Sequence, residues 1–95
     1  MEIFDLSKMK EKQAIYEEEE FKIRHIILSE GEKIPSCDMS TYVIFVVLHG
    51  EAEVTVDDES VTLSKGKCLI TEPATLSMKT EKGVKILGIQ ISKGA

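Results

Sequence analysis

A chain of 95 residues, with 42% hydrophobic and 31% charged side chains, has the size of one domain spanning residues 1–95, and its composition excludes a disordered polymer. Seventeen acidic against twelve basic residues give a formal charge of −5, which argues against nucleic acid and against an anionic membrane surface as partners. The longest apolar run, Tyr42 to Leu48, is too short to cross a bilayer, and no basic-then-apolar leader opens the chain, so a cytoplasmic protein is expected.

In chain order, residues 1–20 read as an N-terminal arm or edge strands. Ser7 to Tyr16 is the one candidate for a turn of helix, capped by Asp5 or Ser7, and Gln13 to Tyr16 competes as a strand. Glu17 to Glu20 is a charged turn; four carboxylates can attract a cation or a basic partner, but a solvated turn is the commoner meaning. Phe21 to Leu28 alternates Phe21, Ile23 and His25 against Lys22, Arg24 and Ile26. Gly31 and Pro35 punctuate the stretch before the next strand.

Tyr42 to Leu48 is apolar on both faces and β-branched, as in a strand covered on both sides, and Gly50 ends it. Ala52, Val54 and Val56 then alternate with Glu51, Glu53 and Thr55 at period two. Asp57 to Ser60 is a polar turn leading into Val61 to Leu63, which completes a hairpin. After a turn at Ser64-Lys65-Gly66, the segments Cys68–Ile70, Leu76–Lys79 and Lys85–Ile91 supply three more short strands. About eight strands with tight polar turns predict an all-β sandwich or barrel.

The strand spacing alone does not choose among such folds; a resemblance carried by Gly31 to Ser77 does. Gly31 is followed by Cys37, Met39, Val43 and Gly50, and Gly66 by Glu72, Ala74 and Ser77, with Pro73 next to Glu72. Residues 31–50 and 66–77 resemble the first and second motifs of the cupin family in degenerate form. Those motifs read G, five residues, H-x-H, three or four residues, E, six residues, G, and then G, five residues, P-x-G, two residues, H. The resemblance implies a double-stranded β-helix, a jelly-roll barrel of the RmlC-like type. In metal-bearing cupins the motif histidines and glutamate hold one metal ion inside the barrel. The matching positions here are Cys37, Met39, Val43 and Ser77, of which Val43 cannot coordinate and Ser77 is a poor ligand for a divalent ion. The expectation is therefore no metal, no cofactor and no catalytic residue.

Each remaining feature has two readings. Cys37 and Met39 offer soft sulfur to copper or zinc, or they fill the barrel interior as adaptable apolar groups. Cys37 lacks the setting of a reactive thiol, because Pro35, Ser36 and Asp38 supply no cation to activate it. Cys68 reads as a core filler, and with no CxxC pair both cysteines are expected as free thiols. His49 belongs at a strand end near solvent, and His25 on a strand among apolar neighbours; neither has a nucleophile beside it. Glu72 either points to the barrel mouth or is exposed. If Val43 points inward, Phe45 and Val47 do too, which leaves Ile44, Val46 and Leu48 on an outer face that must be covered by N-terminal strands or by a second subunit. A homodimer is expected.

Three functions are compatible with these features. The barrel binds a small organic ligand among Cys37, Met39, Val43, Phe45 and Ser77, a lining that suits mixed apolar metabolites better than sugars. Or its interior is filled and the chain is a scaffold or regulatory module. Or it is a small cupin enzyme, an isomerase, epimerase or dioxygenase-like protein using non-standard residues, for which no base stands at the family positions.

Overall fold

The computed structural model describes residues 1–93. A single 3₁₀ turn, Leu6–Lys8, is capped by Asp5, whose side chain accepts from the Ser7 amide. Of the two readings of Ser7 to Tyr16, the helical one is limited to this turn, and the strand reading holds from Gln13. Eight strands make up the rest: β1 Gln13–Glu17, β2 Phe21–Leu28, β3 Lys33–Asp38, β4 Tyr42–Val56, β5 Glu59–Ser64, β6 Cys68–Thr71, β7 Thr75–Lys79 and β8 Val84–Ile91. All pairings are antiparallel, in the order β1-β2-β8-β4-β7-β3, with β5 and β6 also on β4. No described helix is long and apolar enough to cross a membrane.

Strand β4 organises the roll. Its first part pairs with β6 and β8, and its second part with β5 and β7. Gly50, expected to end a strand, does not: the chain continues in strand through it. The reason is a bulge. Register against β8 slips between Val47 and His49, so inward positions change from odd (Val43, Phe45, Val47) to even (Ala52, Val54). The extra residue lets one strand turn a corner and keep its apolar side chains inside. Gly50 sits at that corner with φ +80°, and a Cβ there would lie 2.3 Å from the Gly83 carbonyl oxygen of the β7–β8 turn. Thr80 locks the same corner: its buried hydroxyl donates to the Glu51 carbonyl at 2.7 Å and accepts from the Gly83 amide at 3.0 Å.

The core is the inward rows. Ile26 and Leu28 of β2, Val84 and Ile86 of β8, and Leu76 and Met78 of β7 close on the buried side chains of β4 and on Leu63. Burying side chains of this kind gives on the order of 1.5–3 kcal/mol each. β3, absent from the predicted strands, pairs only with β7 and carries Pro35 inside a register irregularity between Ile34 and Cys37. An edge bulge is where a residue without an N–H fits.

On the outer face, Ile44, Val46 and Leu48 are half-buried, as parity predicts. Cross-strand register extends them into a row, Ile70–Ile44–Ile89–Ile23, across β6, β4, β8 and β2. The N-terminal arm lies over part of this face: Leu6 lines one surface cleft with Ile23 and Leu87 and another with Leu48, and the Glu11 carbonyl lies 3.4 Å from Nδ1 of His25. Ile70 stays 70% exposed. Cys68, expected in the core, is exposed instead, since it pairs with Val46 and therefore shares the outer face.

Candidate functional site

The roll is not filled. A cavity of about 120 Å³ lies between its inward faces, and Cys37, Met39, Val43, Phe45 and Ser77 all border it. β4 supplies Val43 and Phe45, which pack from the inward row. Cys37 comes from the end of β3, paired with Leu76. Met39 lies in the next turn, held by its amide to the Ala74 carbonyl at 2.9 Å, and packs on the core. Ser77 reaches the wall differently. It pairs with Thr55, between Val54–Met78 and Val56–Leu76, so strand alternation turns its hydroxyl away from the side on which Leu76 and Met78 lie. Pro73 stands one place after the position that the second motif gives to proline, and one residue is enough to change faces.

Several cavity residues are not among the positions matched to the metal ligands. Leu76, Met78, Ile26 and Ile34 add apolar wall, and Lys12, Arg24 and Gln90 add polar groups. Arg24 stands on the inward row of β2, opposite Gly88 of β8 and two places before buried Ile26. Gly88 is itself part of the wall, since a Cβ there would come within 3.0 Å of Ile26 Cδ1 and 3.5 Å of Phe45 Cε1. Lys12 and Cys37, both exposed, mark the mouth.

The donor set at the positions matching the metal ligands is a thiol, a thioether, an isopropyl group and a hydroxyl turned aside. Among the described residues no three His, Cys, Asp or Glu side chains converge on a point that could hold an ion. That set does not fit a divalent cation. The two histidines lie elsewhere: His49 is exposed on β4, and His25 is fully buried on the outer row under the arm, its Nε2 without a hydrogen-bond partner. Glu72 is exposed and does not border the cavity.

No known protein family matches the chain, and neither does any curated protein. Solved structures do match. The TT1209 protein of Thermus thermophilus superposes with a TM-score of 0.88 at 19% identity, over 97% of this chain and 98% of that one. A cupin superfamily protein from Desulfitobacterium hafniense gives 0.86 at 18% identity, over 93% of this chain and 87% of that one. An RmlC-like cupin family protein with a double-stranded β-helix fold, from Methanocaldococcus jannaschii, gives 0.78 at 19% identity, over 96% and 87%. Identities this low carry the architecture and not an activity. With the motif glycines, the shared β4 and the inward rows all in place, the chain has the cupin fold, a double-stranded β-helix.

Proposed function

We propose that this cupin-fold chain is a binding module that takes a small organic ligand into its barrel cavity, without a metal and without chemistry of its own, and that it works as a homodimer. The observation that carries the reading is the cavity itself: about 120 Å³ of mostly apolar space remains where a filled scaffold would have side chains. Among the described residues, the lining includes no histidine and no carboxylate to act as a base, which favours binding over turnover. Two exposed free thiols, Cys37 and Cys68, suit a reducing cytoplasm.

The isoleucine row supports the dimer. A contiguous apolar strip ending in a 70% exposed Ile70 is unfavourable in water, and the arm reaches only its Ile23 end. Light scattering at micromolar concentration gives twice the chain mass on this reading, and a monomer mass would remove the dimer from it.

Xenon tests the cavity. An apolar void of about 150 Å³ takes up xenon or benzene, so amide and methyl NMR signals of Met39, Val43 and Phe45 shift under xenon pressure while those of Val54 do not. Silence at those three residues identifies a closed interior and a scaffold.

A further inference from the structure

The polar groups at the cavity are unbalanced in charge. Lys12 and Arg24 both border it, and among the described residues neither makes an ion pair or a side-chain hydrogen bond. No Asp or Glu among the described residues lines the cavity to answer them. Elsewhere the molecule is acidic, with a net charge of −5; Lys8, Lys22 and Lys79 each pair with a carboxylate, and the other lysines, like Lys12, reach solvent, so it is the half-buried Arg24 that stands apart. A half-buried guanidinium against an apolar cavity, with the exposed Lys12 adding to its positive charge, is a poor arrangement unless an anion completes it.

We infer that the ligand is a small apolar monocarboxylate. Its tail lies among Met39, Val43, Phe45 and Leu76, and its carboxylate is held at the mouth by Arg24 and Lys12, with the Gln90 amide as a further donor. A guanidinium presents a planar fork that matches a carboxylate with two parallel hydrogen bonds. Gly88, facing Arg24 across the β2–β8 pair, leaves the room a side chain would take. Size narrows the class further. A void of about 150 Å³ holds benzene, so one of about 120 Å³ holds a tail of four or five carbons. Inorganic phosphate satisfies the cations but leaves the apolar wall empty. This inference rests on the cavity being a ligand site.

The test is calorimetric titration of the full chain with isovalerate, its neutral analogue isovaleramide, and inorganic phosphate, repeated on Arg24→Met, Arg24→Lys and Lys12→Met. Isovalerate should bind at least about tenfold more tightly than isovaleramide, and Arg24→Met should remove about that factor, the usual worth of a charge-assisted hydrogen bond. Arg24→Lys should recover part of it, and added sodium chloride should weaken isovalerate and leave isovaleramide unchanged. Equal binding of acid and amide overturns the carboxylate while leaving the cavity as a ligand site. Binding of neither overturns both readings. Tight phosphate binding overturns the apolar tail. If Arg24→Met does not fold, the acid–amide ratio in the unaltered chain and in Lys12→Met decides.

Discussion

Replacing Gly50 by alanine tests the corner on which the roll depends. Two penalties add there. A non-glycine residue at φ +80° carries a left-handed cost of roughly 1–2 kcal/mol. A Cβ 2.3 Å from the Gly83 oxygen must also force β4 away from the start of β8, where Gly50 pairs with Val84. The obstructing atom is backbone, so no rotamer change relieves it, and overpacking of this kind costs about 1–3 kcal/mol. Gly31 is the internal control: its φ is +78°, but nothing lies within 4 Å of its Cβ position. Gly31→Ala therefore keeps only the conformational penalty. Urea unfolding monitored by circular dichroism should show Gly50→Ala losing about 2–5 kcal/mol of the roughly 5–15 kcal/mol a domain has, and Gly31→Ala only about 1–2 kcal/mol. At an m-value near 1–1.5 kcal/mol/M, in the range for small proteins, that places the Gly50→Ala midpoint about a molar or more below that of Gly31→Ala. Equal losses in the two variants refute the close approach of the β7–β8 turn.

Ile70→Lys should convert the proposed dimer to a monomer in light scattering while changing the unfolding of the single chain by no more than about 0.5 kcal/mol, since Ile70 is 70% exposed; a dimer that survives moves the proposed interface elsewhere. Thr80→Val removes the hydroxyl shared by Glu51 and Gly83 and should cost about 1–2 kcal/mol in urea unfolding, the penalty for stranding half-buried backbone groups. The Tyr16 phenol is raised above its ordinary pKa, first by its hydrogen bond to Glu18, then by the charge of that carboxylate, with lesser contributions from desolvation and Glu2. The neutral phenol is therefore favoured in the folded state: this contribution is complete below the ordinary tyrosine pKa and is lost as pH rises through the raised one. Ultraviolet titration of Glu18→Gln should show one tyrosine ionising at lower pH than in the parent chain, and an unchanged curve would contradict the contact.

The inward half of β4 was legible because parity needs only one fixed point. With Val43 placed inside by the motif spacing, Phe45 and Val47 go with it, and Ile44, Val46 and Leu48 take the outer face. Parity failed at Leu48–Gly50 because a bulge inserts a residue without any change of composition. Cys68-Leu69-Ile70 misled for a related reason: three apolar residues in a row show no alternation, yet only Leu69 pairs with inward Phe45. β3 was hidden by Pro35, which reads as a breaker unless the strand is known to be an edge. The cationic mouth was missed because Phe21, Ile23 and His25 look like the buried face of β2. They lie on the outer side, where the arm and the stacking of Tyr16 on Phe21 shelter them, and Arg24 shares the inward row with Ile26 and Leu28. The signal available in the sequence was that row itself, a basic residue in phase with two aliphatic ones.

The most direct measurement is a set of intermolecular nuclear Overhauser effects with isovalerate bound to isotope-labelled protein. The account predicts cross-peaks from the ligand methyls to Met39, Val43 and Phe45, with the carboxylate end shifting the Arg24 side-chain signals. Cross-peaks confined to Ile44, Ile70 and Ile89 would place the ligand on the outer face and contradict it.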